Sequence, residues 1–212
     1  MEILAQQMSA DPSLREKMEQ MERHTRSVLE EPALSSETVI TIPTVVHVVY
    51  NTNGENVSDA QIQSQIDILN EDFRRLNADA VNTPSDFLGV AADIRIEFCL
   101  ATVDPNGNPT TGITRTYTSK TSFLFDEEEA MKYDSKGGKD IWDRDQYLNI
   151  WVCDLSGTTL GYAQFPEMGP NSTDGIVIDY YYFGNIGNLN PQYNLGRTAT
   201  HEVGHWLNLF HI

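Results

Sequence analysis

The sequence predicts an α+β fold, one domain of ordinary size behind a helical leader, and three patterns carry that prediction. Residues 44–50 are almost entirely β-branched, as in a strand buried on both faces. Ile62, Ile66, Leu69, Phe73 and Leu76 then recur at steps of three and four, which puts one apolar face on a helix. Alternating and apolar runs farther on, bounded by turn formers, add strands before a last, histidine-bearing helix. The 212 residues, 40% of them apolar, are enough for a globular core and exclude disorder throughout.

Asp11-Pro12 starts the leader helix, where Leu14, Met18, Met21 and Val28 form a narrow stripe among charged residues. A helix this polar cannot make a core alone, so it is expected to be a leader, a linker or a segment that docks on the rest; residues 30–38 read as a linker, which puts a helical leader at 1–36 and a domain over 37–212. Ser58 with Gln61 predicts a capping box at the start of the amphipathic helix. A second strand is expected at 94–98, a turn at 104–109, and a third strand at 147–153. Two short strands follow at 160–165 and 175–180, the first stopped by Pro166, before a Gly/Asn-rich loop at 184–194. The acidic run at 126–129 lacks the spacing of a calcium loop and reads as a solvated helix start.

A formal charge of −17 repels nucleic-acid backbones and anionic membranes, and no basic stripe offsets it. No apolar stretch approaches the roughly 20 residues of a membrane span, and no signal-peptide core stands in the first 30 residues, so the chain as written is expected to be soluble, without an export address. Cys99 and Cys153 are too few for a disulfide framework or a cysteine zinc site, and the sequence leaves their pairing open, as it does the oligomeric state.

The chemistry lies at the end of the chain, in His201-Glu202-Val203-Gly204-His205 followed by His211. Three of the five histidines fall between residues 201 and 211. Residues four apart on a helix lie one above the other, so His201 and His205 can point both imidazoles at one ion. Glu202 is rotated off that row, where its carboxylate can reach a water beside the metal, the position of a general base. His211 becomes a third ligand only if the helix ends and the chain turns back. Three imidazoles on zinc leave a fourth position for water, the makeup of a hydrolytic centre. His47 and His24 are expected to be packed and solvated rather than metal-bound, and Trp206, Leu207 and Leu209 to form the core side of the active-site helix. No Gly-rich phosphate loop and no Gly-x-Ser-x-Gly supports a nucleotide or serine-hydrolase reading.

The run Thr200 to Leu207 with His211 resembles the metzincin metallopeptidases, and among them the pappalysin family with its ulilysin-like prokaryotic members. Lys136-Gly137-Gly138-Lys139-Asp140, residues 147–153, and Leu160-Gly161-Tyr162-Ala163-Gln164-Phe165-Pro166 reinforce the likeness, which covers about residues 40–212. The resemblance implies a zincin-like upper subdomain: a mixed five-stranded sheet, a backing helix and a zinc helix, with residues 160–165 as the edge strand that pairs with an extended protein or peptide substrate. It also implies a secreted zinc endopeptidase made as a zymogen, with residues 1–36 in the place of the pro-segment, and often calcium, for which no site is assigned. Where the family pattern places glycine at the chain reversal, this sequence has Asn208, the non-glycine residue that best tolerates a left-handed backbone. No cysteine precedes Cys99, so latency by a pro-segment cysteine is not expected. Relatives continue past the third histidine into a lower subdomain, so a chain stopping at Ile212 reads as a fragment of a longer precursor and is expected to be weakly active or inactive alone. The competing class is a non-catalytic zinc- or peptide-binding module, which shares the metal but not Glu202-dependent cleavage.

Overall fold

A computed structural model of the chain describes residues 12–30, 38–125 and 128–211. The linker expected at 30–38 and the acidic residues Asp126 and Glu127 fall largely or wholly outside them.

The leader forms helix α1, Pro12–Glu30. Leu14, Met18 and Met21 are partly covered, Val28 is exposed, and Lys17 Nζ donates to Glu167 O at 3.2 Å. The expected narrow stripe is thus present.

Strand β1, Ile40–Tyr50, is the axis of the fold. It pairs β4 (Leu148–Cys153) on one side; on the other, it pairs β2 (Ile96–Leu100) through Ile40–Thr44 and β3 (Ile113–Tyr117) through Val46–Tyr50, all parallel. Strand β6 (Ile176–Asp179) runs parallel to β4, and β5 (Gly161–Ala163) closes the sheet antiparallel to β6. The path β2-β1-β4-β6-β5 is the mixed five-stranded sheet implied by the resemblance, with β3 as a sixth strand that takes over the far half of one edge of β1. Sequence patterns did not single out β3, whose Thr and Arg positions dilute the apolar signal.

Period-two alternation divides β1 between two cores. Val46 and Val48 face the larger one with Ile150, Val152, Ile176 and Ile178, under helix α2 (Asp59–Phe73) and helix α3 (Arg197–Trp206). Val49 faces the other, with Trp151, Cys153, Val177, Phe123 and Met131. Burial on both faces explains the continuous β-branched run.

Helix α2 starts as predicted, with Ser58 Oγ accepting from Gln61 N at 3.1 Å. The box is only half made, because the Gln61 amide turns inward and donates to Phe183 O at 2.8 Å. The helix ends earlier than the apolar row suggested: Arg75 takes a left-handed backbone at φ 52°, and Leu76 beyond it is 71% exposed. The second strand begins two residues later than expected: Arg95 O accepts from Ile40 N at 2.9 Å, but Arg95 takes a left-handed backbone at φ 56°, so extended structure starts only at Ile96. The acidic run leads into no α-helix; Glu129 is left-handed and its carboxylate lies 2.7 Å from the buried Lys132 ammonium. Both cysteines are free, Cys153 in the core but Cys99 exposed rather than packed.

Candidate metal centre

Helix α3 is seated from both ends. At its start, the Gln65 amide on α2 donates to Gly196 O at 3.0 Å and accepts from Gly184 N at 2.7 Å, clamping the loop that delivers the helix. Gly196 has φ 68°, a left-handed backbone that favours glycine, and a Cβ there would have to displace the Ile68 Cδ1 methyl 2.5 Å away. Thr200 Oγ1 donates to Asp72 Oδ2 at 2.7 Å, and Arg197 Nε lies 2.8 Å from the same oxygen. Burial pushes the Asp72 carboxyl up, while Thr200 and Arg197 hold it down. At the other end, Trp206 Nε1 donates to the buried Asp174 Oδ1 at 2.9 Å. Trp206 and Leu207 pack against the larger core as expected. Leu209 does not: it is 58% exposed, because the chain has already left the helix.

The helix stops in a Schellman motif. Asn208 N donates to His205 O and Leu209 N to Gly204 O, each at 2.9 Å, and Asn208 takes φ 69°. Asn208 therefore adopts the left-handed conformation that the sequence allowed it, and the chain reverses at once. That reversal brings His211 back to the helix face carrying His201 and His205.

The three Nε2 atoms form a nearly equilateral triangle, with His201 to His205 at 3.0 Å, His205 to His211 at 3.1 Å and His211 to His201 at 2.9 Å. Hydrogen bonds alone cannot satisfy such a ring. An imidazole nitrogen presents either a proton or a lone pair along one in-plane direction, so each nitrogen donates or accepts but cannot do both. Around a ring of three, at least one pair must then meet like with like. A cation removes the conflict by taking three lone pairs. His205 is already set for that role: its Nδ1 lies 2.7 Å from Leu209 O, a carbonyl that can only accept, so Nδ1 carries the proton and Nε2 the lone pair. Burial and the two neighbouring imidazoles push the His201 pKa down, favouring its neutral form. Among the described residues, these three histidines are the group placed to hold one metal ion.

Glu202 is only 7% exposed, and burial pushes its carboxyl up to about 7. A divalent ion nearby would bring it back down. The edge strand β5 passes alongside, with Gly161 against the Glu202 side chain. Phe165, just past the strand, lies with its ring centroid 5.0 Å from that of His205. His47 is remote from this cluster in function: fully buried in β1, it bonds Thr114 Oγ1 through Nδ1 at 2.8 Å and Asn149 Oδ1 through Nε2 at 2.9 Å. His24 lies exposed on α1. Sequence reasoning missed Gln65, Asp174, Gly161 and Phe165 as supports of the site; a small residue inside an otherwise bulky strand was the one local signal for Gly161.

The family model described as Peptidase_M43, pregnancy-associated plasma protein-A, matches residues 131–212. An extracellular metalloprotease of Verticillium alfalfae is 29% identical over 184 residues, which are 84% of this chain and 54% of that protein. One from Pyricularia oryzae is 31% identical over 185 residues, 82% of this chain and 52% of its own length. The chain spans about half the length of these curated relatives. Among solved structures, a Tannerella forsythia promirolysin mutant superposes with a TM-score of 0.86 at 48% identity, covering 98% of this chain and 67% of that one. Mature mirolysin in complex with a cleaved peptide gives a TM-score of 0.80 at 56% identity over 83% of this chain and 66% of that one. Sheet topology, the converging imidazoles and these likenesses lead to one conclusion: the chain belongs to the pappalysin family of metzincin metallopeptidases.

Proposed function

We propose that this protein is a secreted zinc endopeptidase in which His201, His205 and His211 hold the zinc and Glu202 is the general base. The observation that carries the proposal is the mutual approach of the three Nε2 atoms to 2.9–3.1 Å, which suits three neutral imidazoles that would hold one zinc ion. Zinc, when bound, supplies a Lewis acid that polarises a peptide carbonyl and acidifies water. The chain's own part is to place a base and a template. Glu202 Oε takes the proton of the attacking water and returns it to the leaving amine. The outer edge of β5, with no further strand paired to it among the described residues, offers backbone donors and acceptors to an extended polypeptide of any sequence. The cleaved peptide seen on mature mirolysin supports peptide substrates here.

Residues 1–36 are proposed to be the pro-segment and 37–212 the upper catalytic subdomain. In support, the promirolysin likeness covers 98% of this chain and the mature mirolysin likeness 83%. The names of the fungal relatives support secretion. No calcium site is assigned, and nucleic acid and membrane are left out as partners; no helix among the described residues is long and apolar enough to cross a membrane.

The test is elemental analysis joined to cleavage of a denatured protein, with and without a chelator, by the chain extended through the lower subdomain that its relatives carry. Zinc at up to one per chain, lost in a His201→Ala, His205→Ala double variant, and cleavage abolished by the chelator are expected. Unchanged metal content in the double variant would sink the ligand assignment, and zinc binding without cleavage would favour the non-catalytic module.

A further inference from the structure

Phe165 follows the edge strand β5, one residue beyond Gln164, whose N–H still donates to Gly175 O at 3.0 Å. Its ring therefore leaves the sheet from an anchored backbone, and Pro166 fixes the chain behind it. The ring meets two others. It lies 5.0 Å from His205 with planes tilted by 39°, and it stacks on Phe210 at 4.9 Å with planes 21° apart. All three side chains are partly buried. His205 and Phe210 stand on opposite sides of the Asn208 reversal, so one ring from the edge strand spans the turn from outside.

The turn needs such a support. The Schellman motif fixes the backbone only through Leu209, and the Leu209 side chain is largely exposed. Phe210 is the next residue and His211 the one after. Nothing in the motif itself sets where the third imidazole lies. The stack on Phe165 does, because it holds the residue immediately before His211 while also bearing on the imidazole of His205.

We propose that Phe165 is a positioning residue for the metal centre, an aromatic clip that joins the edge strand to the reversed segment and keeps the third histidine converged on the other two. The inference rests on the metal assignment proposed above. It makes metal affinity depend on a residue of the substrate-binding edge that offers no ligand atom and lies 40 positions before His205. Offset aromatic stacking is directional, so an aliphatic side chain of similar volume would fill the space without setting the ring geometry.

The experiment measures zinc affinity by competition with a chelating dye, together with thermal unfolding of the zinc-free protein, for wild type, Phe165→Leu and Phe165→Tyr. Phe165→Leu should lower zinc affinity about ten- to a hundredfold, as loss of a group that orients a metal ligand does, while the zinc-free protein still unfolds cooperatively with a midpoint lowered by no more than about 4 °C. Phe165→Tyr, which keeps the ring, should restore affinity close to wild type. Wild-type affinity in Phe165→Leu would overturn the inference, and so would a Phe165→Tyr variant that loses as much as Phe165→Leu. A wild-type protein that takes up no zinc is a separate result, overturning the metal assignment and this inference with it.

Discussion

Gly161 of the edge strand lies directly against Glu202: a Cβ at position 161 would stand 3.3 Å from Glu202 Cγ, 2.9 Å from Val177 O and 2.8 Å from Ile178 Cδ1. Val177 and Ile178 belong to the neighbouring strand, and backbone there cannot yield, so any side chain at 161 must push β5 outward or displace the glutamate. The strand proposed to receive substrate and the base proposed to act on it thus share one tight contact.

Gly161→Ala is accordingly expected to lower kcat by about ten- to a hundredfold, since a misplacement on the order of 1 Å at a reacting group costs that much. Zinc content should stay at the wild-type level because the three histidines are not touched. Steady-state kinetics beside elemental analysis would check it, and a kcat equal to wild type would show that the contact has slack.

Gln65 predicts a stability effect. Replacing it with Leu keeps a buried side chain of similar size but leaves Gly184 N–H and Gly196 C=O without their partner. Two buried backbone groups left unpaired should cost about 2 to 4 kcal/mol in urea unfolding. A loss below about 0.5 kcal/mol, the range of ordinary surface changes, would mean that water replaces the clamp.

His47 supplies a pH dependence. Burial lowers its pKa to about 4, with Lys139 adding to the shift and the Asn149 bond and Asp134 opposing it. Above pH 6.5 the imidazole is neutral in both folded and unfolded chains and contributes no slope. Between pH 6.5 and 4 the unfolded chain takes up a proton that the folded one does not, so stability falls as pH falls. The stability difference between wild type and His47→Gln should therefore shrink by about 3 kcal/mol from pH 7 to pH 4. Chemical unfolding at the two pH values measures this directly; a gap independent of pH would contradict it. The variant comparison is needed because Asp179, lifted by burial to about 6, gives the opposite slope in an overlapping window.

What the sequence made legible were features with a local period. The face of α2 and the triad could be read because Ile62, Ile66 and Leu69, or His201 and His205, recur one helical turn apart. Where reading failed, a left-handed residue intervened: Arg75 and Asn208 end their helices, so Leu76 and Leu209 leave the apolar rows that pattern alone gave them. Asn208 itself was foreseen because its role follows from side-chain chemistry. Strand β3 was hidden since it borders only half of β1 and carries Thr114, Arg115 and Thr116 between its larger residues. Gly161, Phe165, Asp174 and Gln65 support the site through partners some 30 to 130 residues away in the chain, and no local pattern encodes such a contact.

Glu202, the proposed general base, is the residue on which cleavage depends most directly. The measurement is the initial rate of cleavage of a denatured protein by Glu202→Gln and by wild type, each extended through the lower subdomain, at equal zinc content. An amide keeps the shape of the carboxylate but cannot accept the proton, so the account predicts a fall of about a hundred- to ten-thousandfold with zinc and fold retained. A Glu202→Gln protein that cleaves at close to the wild-type rate would contradict it.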